Sequence, residues 1–157
     1  MTHAHPEGIA GAIAVALAAA CVARTVTDPS ALFDTVLRLT PDSETRAGIE
    51  QAASLPLDYD VRTAVSALGN GTRVISQDTV PFSLWCAARH LGHFEDAMWT
   101  TVSGLGDRDT TCAIVGGILA SSPGVKVPEA WMAAREPLEA MSMDKLVRAR
   151  LAGHEDA

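Results

Sequence analysis

The stretch GLGDRDTTCAIVGGILA, residues 104–120, places two carboxylates and a hydroxyl between a glycine turn and an apolar helix. Asp107 and Asp109 lie two residues apart beside Gly104 and Gly106, so a non-helical turn can aim both side chains at one point. Thr110 adds a hard neutral oxygen where the helix begins. Oxygen donors of this kind suit magnesium, manganese or calcium and do not suit zinc, which prefers nitrogen and sulfur. The same residues also suit a helix N-cap, because Asp and Thr accept hydrogen bonds from the free N–H groups of a first turn. Spacing alone favours the cap, and the glycines at 104, 106, 116 and 117 shift the balance toward a cation site. Gly116 and Gly117 sit inside the apolar helix, where each costs ~1 kcal/mol against alanine, and this predicts another backbone packed close against it.

Working outward, the chain reads as helices joined by short turns. Pro6 suits a first helical position and Glu7 complements the dipole there, with His3 and His5 just before it. A helix start at that place offers free N–H groups to an anion such as a diphosphate. Residues 9–23 carry no charge. That run is shorter than the ~20 residues a bilayer span needs and has no basic segment before it, so it predicts a fully buried core helix and no membrane partner. Asp28-Pro29 starts a second helix, and Asp42 or Ser43 caps a third that runs to about residue 54. Asp58 or Asp60 caps a short fourth helix, ended by Gly69-Asn70-Gly71, a loop read first as a turn and second as a ligand contact. Asp78 or Thr79 caps a helix carrying Phe82, Leu84, Trp85 and Ala88. Residues 93–103 form an amphipathic helix with Phe94, Ala97, Met98 and Val102 on one side, and it delivers Ser103 and Gly104 to the acidic turn. Pro128 opens the helix of Trp131, Pro137 interrupts it, and a last helix spans residues 142–151.

Residues 72–76 are the one strand candidate. The pattern as a whole predicts an all-α, orthogonal multi-helix bundle of roughly eight or nine short helices in a single domain, residues 1–157. A hydrophobic share of 48% with only 4% aromatics fits a helical interior rich in alanine and valine. The net charge of −7 leaves no basic face to neutralise a nucleic-acid backbone, so nucleic acid is not an expected partner. Cys21, Cys86 and Cys112 are odd in number and far apart, which predicts reduced buried thiols and a cytoplasmic protein.

Three stretches together resemble a known family. GDRDTTCAIVGGI at residues 106–118, followed by VPEAW at 127–131, is similar to the C-terminal motif of the ADP-ribosylglycohydrolases; THAHPEGIAGA at 2–12 and DTVPFSLWCAA at 78–88 resemble two further motifs, in the family's order. The resemblance implies an all-α hydrolase that uses Mg²⁺ or Mn²⁺ to remove ADP-ribose from proteins or small molecules. It implies that Asp107, Asp109 and Thr110 are metal ligands and that His3 contacts ADP-ribose. Ser103 and Gly104, immediately before the acids, are the other candidate substrate contacts. The family's remaining ligands form a Thr-Asp-Asp run in an N-terminal half, which also carries the acid near the scissile bond. Residues 1–157 contain no such run. The chain therefore resembles the C-terminal portion only, no catalytic residue is assigned, and self-association or docking to a missing N-terminal half is expected. The alternative is a non-catalytic member that binds ADP-ribose or keeps only the fold.

Overall fold

A computed structural model describes residues 4–136. Among the described residues there are eight α-helices and no strand: α1 (Pro6–Ala23), α2 (Pro29–Leu39), α3 (Glu44–Ser54), α4 (Val61–Leu68), α5 (Ser76–Arg89), α6 (Phe94–Ser103), α7 (Arg108–Ala120) and α8 (Glu129–Ala134). The chain divides into two compact units, Met1–Val127 and Pro128–Ala157. The second contributes α8, a six-residue helix entered through Pro128. Both the helix expected at residues 142–151 and the break at Pro137 lie outside the described residues.

Local chemistry explains where the helices of the first unit begin. His5 Nδ1 accepts from the Glu7 N–H at 3.3 Å, and Pro6 fills the first position of α1. Asp28 Oδ1 accepts from the Ser30 N–H at 3.1 Å ahead of Pro29, and Ser43 Oγ accepts from the Arg46 N–H at 3.0 Å. Of the two caps expected for α3, Ser43 is the one used. For α5 the expectation was wrong: the helix starts at Ser76 behind Ile75, and Asp78 lies in its first turn with its carboxylate turned outward to a loop. The segment 72–76, the strand candidate, is a turn leading into α5.

α5 is the axis of the unit. Residues 78–88 are buried without interruption, and α5 packs against α1, α3, α4, α6 and α7. Phe82 and Trp85 stack at a centroid distance of 6.5 Å, with the Arg89 guanidinium 5.2 Å above the Trp85 ring. Leu32, Val36, Ile49, Leu84, Val115 and Ile118 fill the space around them. The buried hydroxyls of Ser83, Thr101 and Thr111 donate to carbonyls one helical turn back, at 2.7–2.8 Å, so each enters the core with its polar group satisfied.

α1 departs from its expectation. It is not fully buried; only a third of it is, through residues such as Ala10, Gly11, Ala14 and Ala18. By length and composition it could cross a membrane, with a mean hydropathy of 1.8, a measure that core helices of soluble proteins also meet. The inference drawn from Gly116 and Gly117 also fails. Gly116 meets the Met98 and Phe94 side chains at ordinary contact distance, and Gly117 faces open space rather than another backbone.

Candidate functional site

The turn between α6 and α7 is built from two successive left-handed residues, Leu105 (φ 58°) and Gly106 (φ 64°), and it ends at Asp107, the N-cap of α7. Asp107 Oδ1 accepts from the Thr110 N–H at 3.3 Å, and Asp109 Oδ1 accepts from the same N–H at 3.1 Å. Capping and convergence, which the sequence offered as rival readings, are therefore the same geometry. Both carboxylates point to one spot at the positive end of α7. The Asp109 carboxyl, and then the Thr110 hydroxyl and amide, hold the Asp107 carboxyl below the ordinary aspartate value of 3.8. Asp107, Asp109 and Thr110 thus offer hard oxygens that fit an oxygen-preferring divalent ion. Among the described residues no cluster of three or more His, Cys, Asp or Glu is found. An octahedral ion held here would take its other ligands from water, substrate or further polypeptide.

The remaining sequence-predicted residues are placed as follows. Ser103 ends α6 with its hydroxyl donating to the Thr100 carbonyl at 2.7 Å. Gly104 is buried against the Phe82 ring, where a side chain would overlap it. His3 lies outside the described residues. His5 is exposed and caps α1. Glu7, in the same motif, is used structurally: its carboxylate accepts from the Glu44 N–H at 3.0 Å, the Thr45 N–H at 2.8 Å and the Thr45 hydroxyl at 2.7 Å, and so caps α3 from a distance. The Thr45 hydroxyl, foremost, keeps the Glu7 pKa low.

Two residues that the sequence offered only as part of a turn and as a helix cap hold the site together. Asn70 bonds to both ends of the 104–107 turn, and Asp78 anchors the loop that carries Asn70. The local signal was a Gly-Asn-Gly loop with an aspartate several residues on, but the partners lie more than thirty residues away.

Beside the acids runs an apolar groove of about 830 Å³ between α1 and α7. Gly11, Val15, Ala16, Ala113, Ile114 and Gly117 line it, and its polar wall is Asp109 and Thr110. The cysteines take no part in this chemistry. Burial pushes the Cys86 thiol up to about 12 and also raises Cys112.

The family model described as ADP-ribosylglycohydrolase matches residues 1–156. The chain belongs to the ADP-ribosylglycohydrolase family. A relative in Archaeoglobus fulgidus, described as an uncharacterized protein, is 32% identical over 132 residues, which is 84% of this chain and 42% of the relative. This ADP-ribosylglycohydrolase chain thus matches less than half the length of that relative. No solved structure was found to match it. The all-α architecture agrees with the fold of the family.

Proposed function

We propose that this chain supplies the cation-binding portion of a hydrolase acting on ADP-ribosyl linkages of proteins or small molecules, with Asp107, Asp109 and Thr110 as ligands for Mg²⁺ or Mn²⁺. The observation that carries the reading is the convergence of the two carboxylates on the Thr110 N–H at the edge of the α1–α7 groove. When bound, such an ion supplies positive charge that orients ribose hydroxyls and eases departure from C1″. The chain's own residues do the rest. Asp107 and Asp109 bring negative charge beside the groove, the start of α7 holds them there, and the apolar walls offer a surface against which a bound substrate is oriented. Water then replaces the leaving group at C1″, giving free ADP-ribose and the protonated acceptor.

Three protein oxygens do not complete an octahedral shell. The reading therefore includes further polypeptide over the groove, either a second copy of the chain or an N-terminal portion corresponding to the part of the relative outside the match. Support comes from α1, whose residues 8–23 are uncharged although only a third of the helix is buried. A non-catalytic role is the second reading, and the absence of a third carboxylate at the site among the described residues favours it.

The test is release of ADP-ribose from ADP-ribosylated arginine and serine peptides with Mg²⁺ or Mn²⁺, beside an Asp107→Ala/Asp109→Ala control. The expected result is cation-dependent release that the control lacks. Folded protein that binds Mn²⁺ but releases nothing rules out completion of the site by a second copy, and release on adding an N-terminal portion of a relative then separates a half-enzyme from the non-catalytic reading. Folded protein that does neither overturns the cation reading and leaves a non-catalytic member that keeps only the fold.

A further inference from the structure

The structure assigns Asn70 as a positioning residue for the cation site, an inference that rests on the reading of Asp107, Asp109 and Thr110 as ligands. Left to itself the 104–107 turn is poorly determined. A non-glycine residue such as Leu105 pays ~1 kcal/mol for left-handed backbone, and the turn's local bonds are Gly104 N–H to the Thr101 carbonyl, Leu105 N–H to the Val102 carbonyl and Arg108 N–H to the Gly106 carbonyl, each at 3.1 Å, with the Asp107 carbonyl accepting from the Thr111 N–H at 3.0 Å. All of these bonds lie within α6, the turn and the start of α7, and none ties the turn to α5 or to the loop before it.

Asn70 does. Its Nδ2 donates to the Gly104 carbonyl at 2.9 Å, and its own carbonyl accepts from the Asp107 N–H at 3.1 Å, so one residue grips both ends of the turn. Its Oδ1 is held in turn by the Thr72 hydroxyl at 2.7 Å and the Thr72 N–H at 3.3 Å. Behind it stands Asp78, only 7% exposed on α5, whose carbonyl accepts from the Gly71 N–H at 3.0 Å and whose Oδ2 accepts from the Arg73 N–H at 2.8 Å. Two close approaches tighten the assembly. A Cβ at Gly71 would stand 2.8 Å from the Asp107 Cβ, and one at Gly106 would overlap Asn70 itself. The path is continuous: core helix α5, Asp78, the 69–74 loop, Asn70, then the acidic turn.

The chemistry specifies asparagine. Aspartate at residue 70 would set an oxygen against the Gly104 carbonyl, alanine would leave that carbonyl without its donor, and serine is too short to span to it. Residues that orient metal ligands in this way influence affinity without touching the ion.

The experiment compares the wild-type chain with Asn70→Ala, Asn70→Asp, Thr72→Val and Ser43→Ala. Ser43→Ala removes the α3 cap far from the site and controls for loss of stability alone. Mn²⁺ affinity is read by electron paramagnetic resonance on folded protein, and amide hydrogen exchange across residues 104–110 is read without metal. Both Asn70 variants should bind Mn²⁺ ~10-fold or more weakly and exchange faster across 104–110, with a smaller change for Thr72→Val and none for Ser43→Ala. Should the Asn70 variants fail to fold, Thr72→Val carries the test. Unchanged affinity and exchange in the folded variants, or an equal loss in Ser43→Ala, overturns the inference. A wild-type chain that binds no Mn²⁺ overturns the cation reading instead, while exchange still reports whether Asn70 holds the turn.

Discussion

Asp107 and Asp109 share a single hydrogen-bond donor, the Thr110 amide, at 3.3 and 3.1 Å. One carboxylate would suffice to cap α7. The second adds a like charge in the first turn of α7, where the helix dipole also favours it, and the pair is the cation site proposed above.

The redundancy has a measurable consequence for stability. Removing an ordinary N-cap costs about 1 kcal/mol, but here either acid leaves the other in place. Without metal, Asp107→Ala and Asp109→Ala should each cost only a fraction of an ordinary cap, while the double variant should lose more than their sum. Urea unfolding of the four proteins gives the coupling. Adding Mn²⁺ should stabilise the wild type and leave the double variant unmoved, because only the former binds it. Additive losses with no metal effect would count against convergence.

Much of the fold was legible because its signals are local. His5-Pro6 and Asp28-Pro29 put cap and first residue side by side, and α1 and α2 begin where they say. The cap of α7 at Asp107 was readable for the same reason. What was lost is what depends on contacts distant in sequence. Asn70 reaches Gly104 across thirty-four positions, and Glu7 caps α3 across thirty-seven, and no spacing rule encodes either. Gly117 was misread because a glycine facing a close backbone and a glycine facing an open groove look alike in one dimension. The charge-free run of α1 likewise announced apolarity without saying how much of it this chain covers.

Acid stability should fall in two stages. Burial keeps the His90 pKa below its ordinary 6.5, so the unfolded chain takes up that proton first and stability declines as pH drops below about 6.5. The Glu7 carboxyl is held below 4.5 by Thr45, so its contribution is fully present above about 4.5 and is lost as pH falls through its lower folded value. His90→Asn should remove the first decline. Glu7→Gln should lower stability at neutral pH and flatten the second. Denaturant midpoints measured from pH 7 to pH 3 separate the two, and an unaltered profile in Glu7→Gln would show that its link to α3 does not carry the acid response.

The groove makes its own prediction. Ala113 is exposed on α7 and lines the groove opposite α1, so Ala113→Arg should leave folding nearly untouched, within ~0.5 kcal/mol, as a surface change does. Any self-association of the chain through this face should be reduced in the variant, read as the sedimentation coefficient against concentration. Wild type and variant with identical concentration dependence would mean that copies of the chain do not meet across α1 and α7.

Val74 and Leu105 are exposed aliphatic residues, 79% and 63%, in left-handed backbone at φ 54° and 58°, one on each of the two turns that Asn70 joins. A β-branched side chain at positive φ is a strong outlier. Because neither side chain is buried, exchanging it for glycine gives up little packing, and relief of ~1–2 kcal/mol of strain exceeds the ~0.4–1 kcal/mol that glycine adds to the entropy of the unfolded chain. Val74→Gly should therefore raise stability by about 0.5–1 kcal/mol, and Leu105→Gly by a similar amount. Thermal unfolding checks both. A loss of stability on removing either side chain would mean that it makes contacts worth more than the strain it bears, and at Leu105 those contacts would lie immediately beside the candidate ligands.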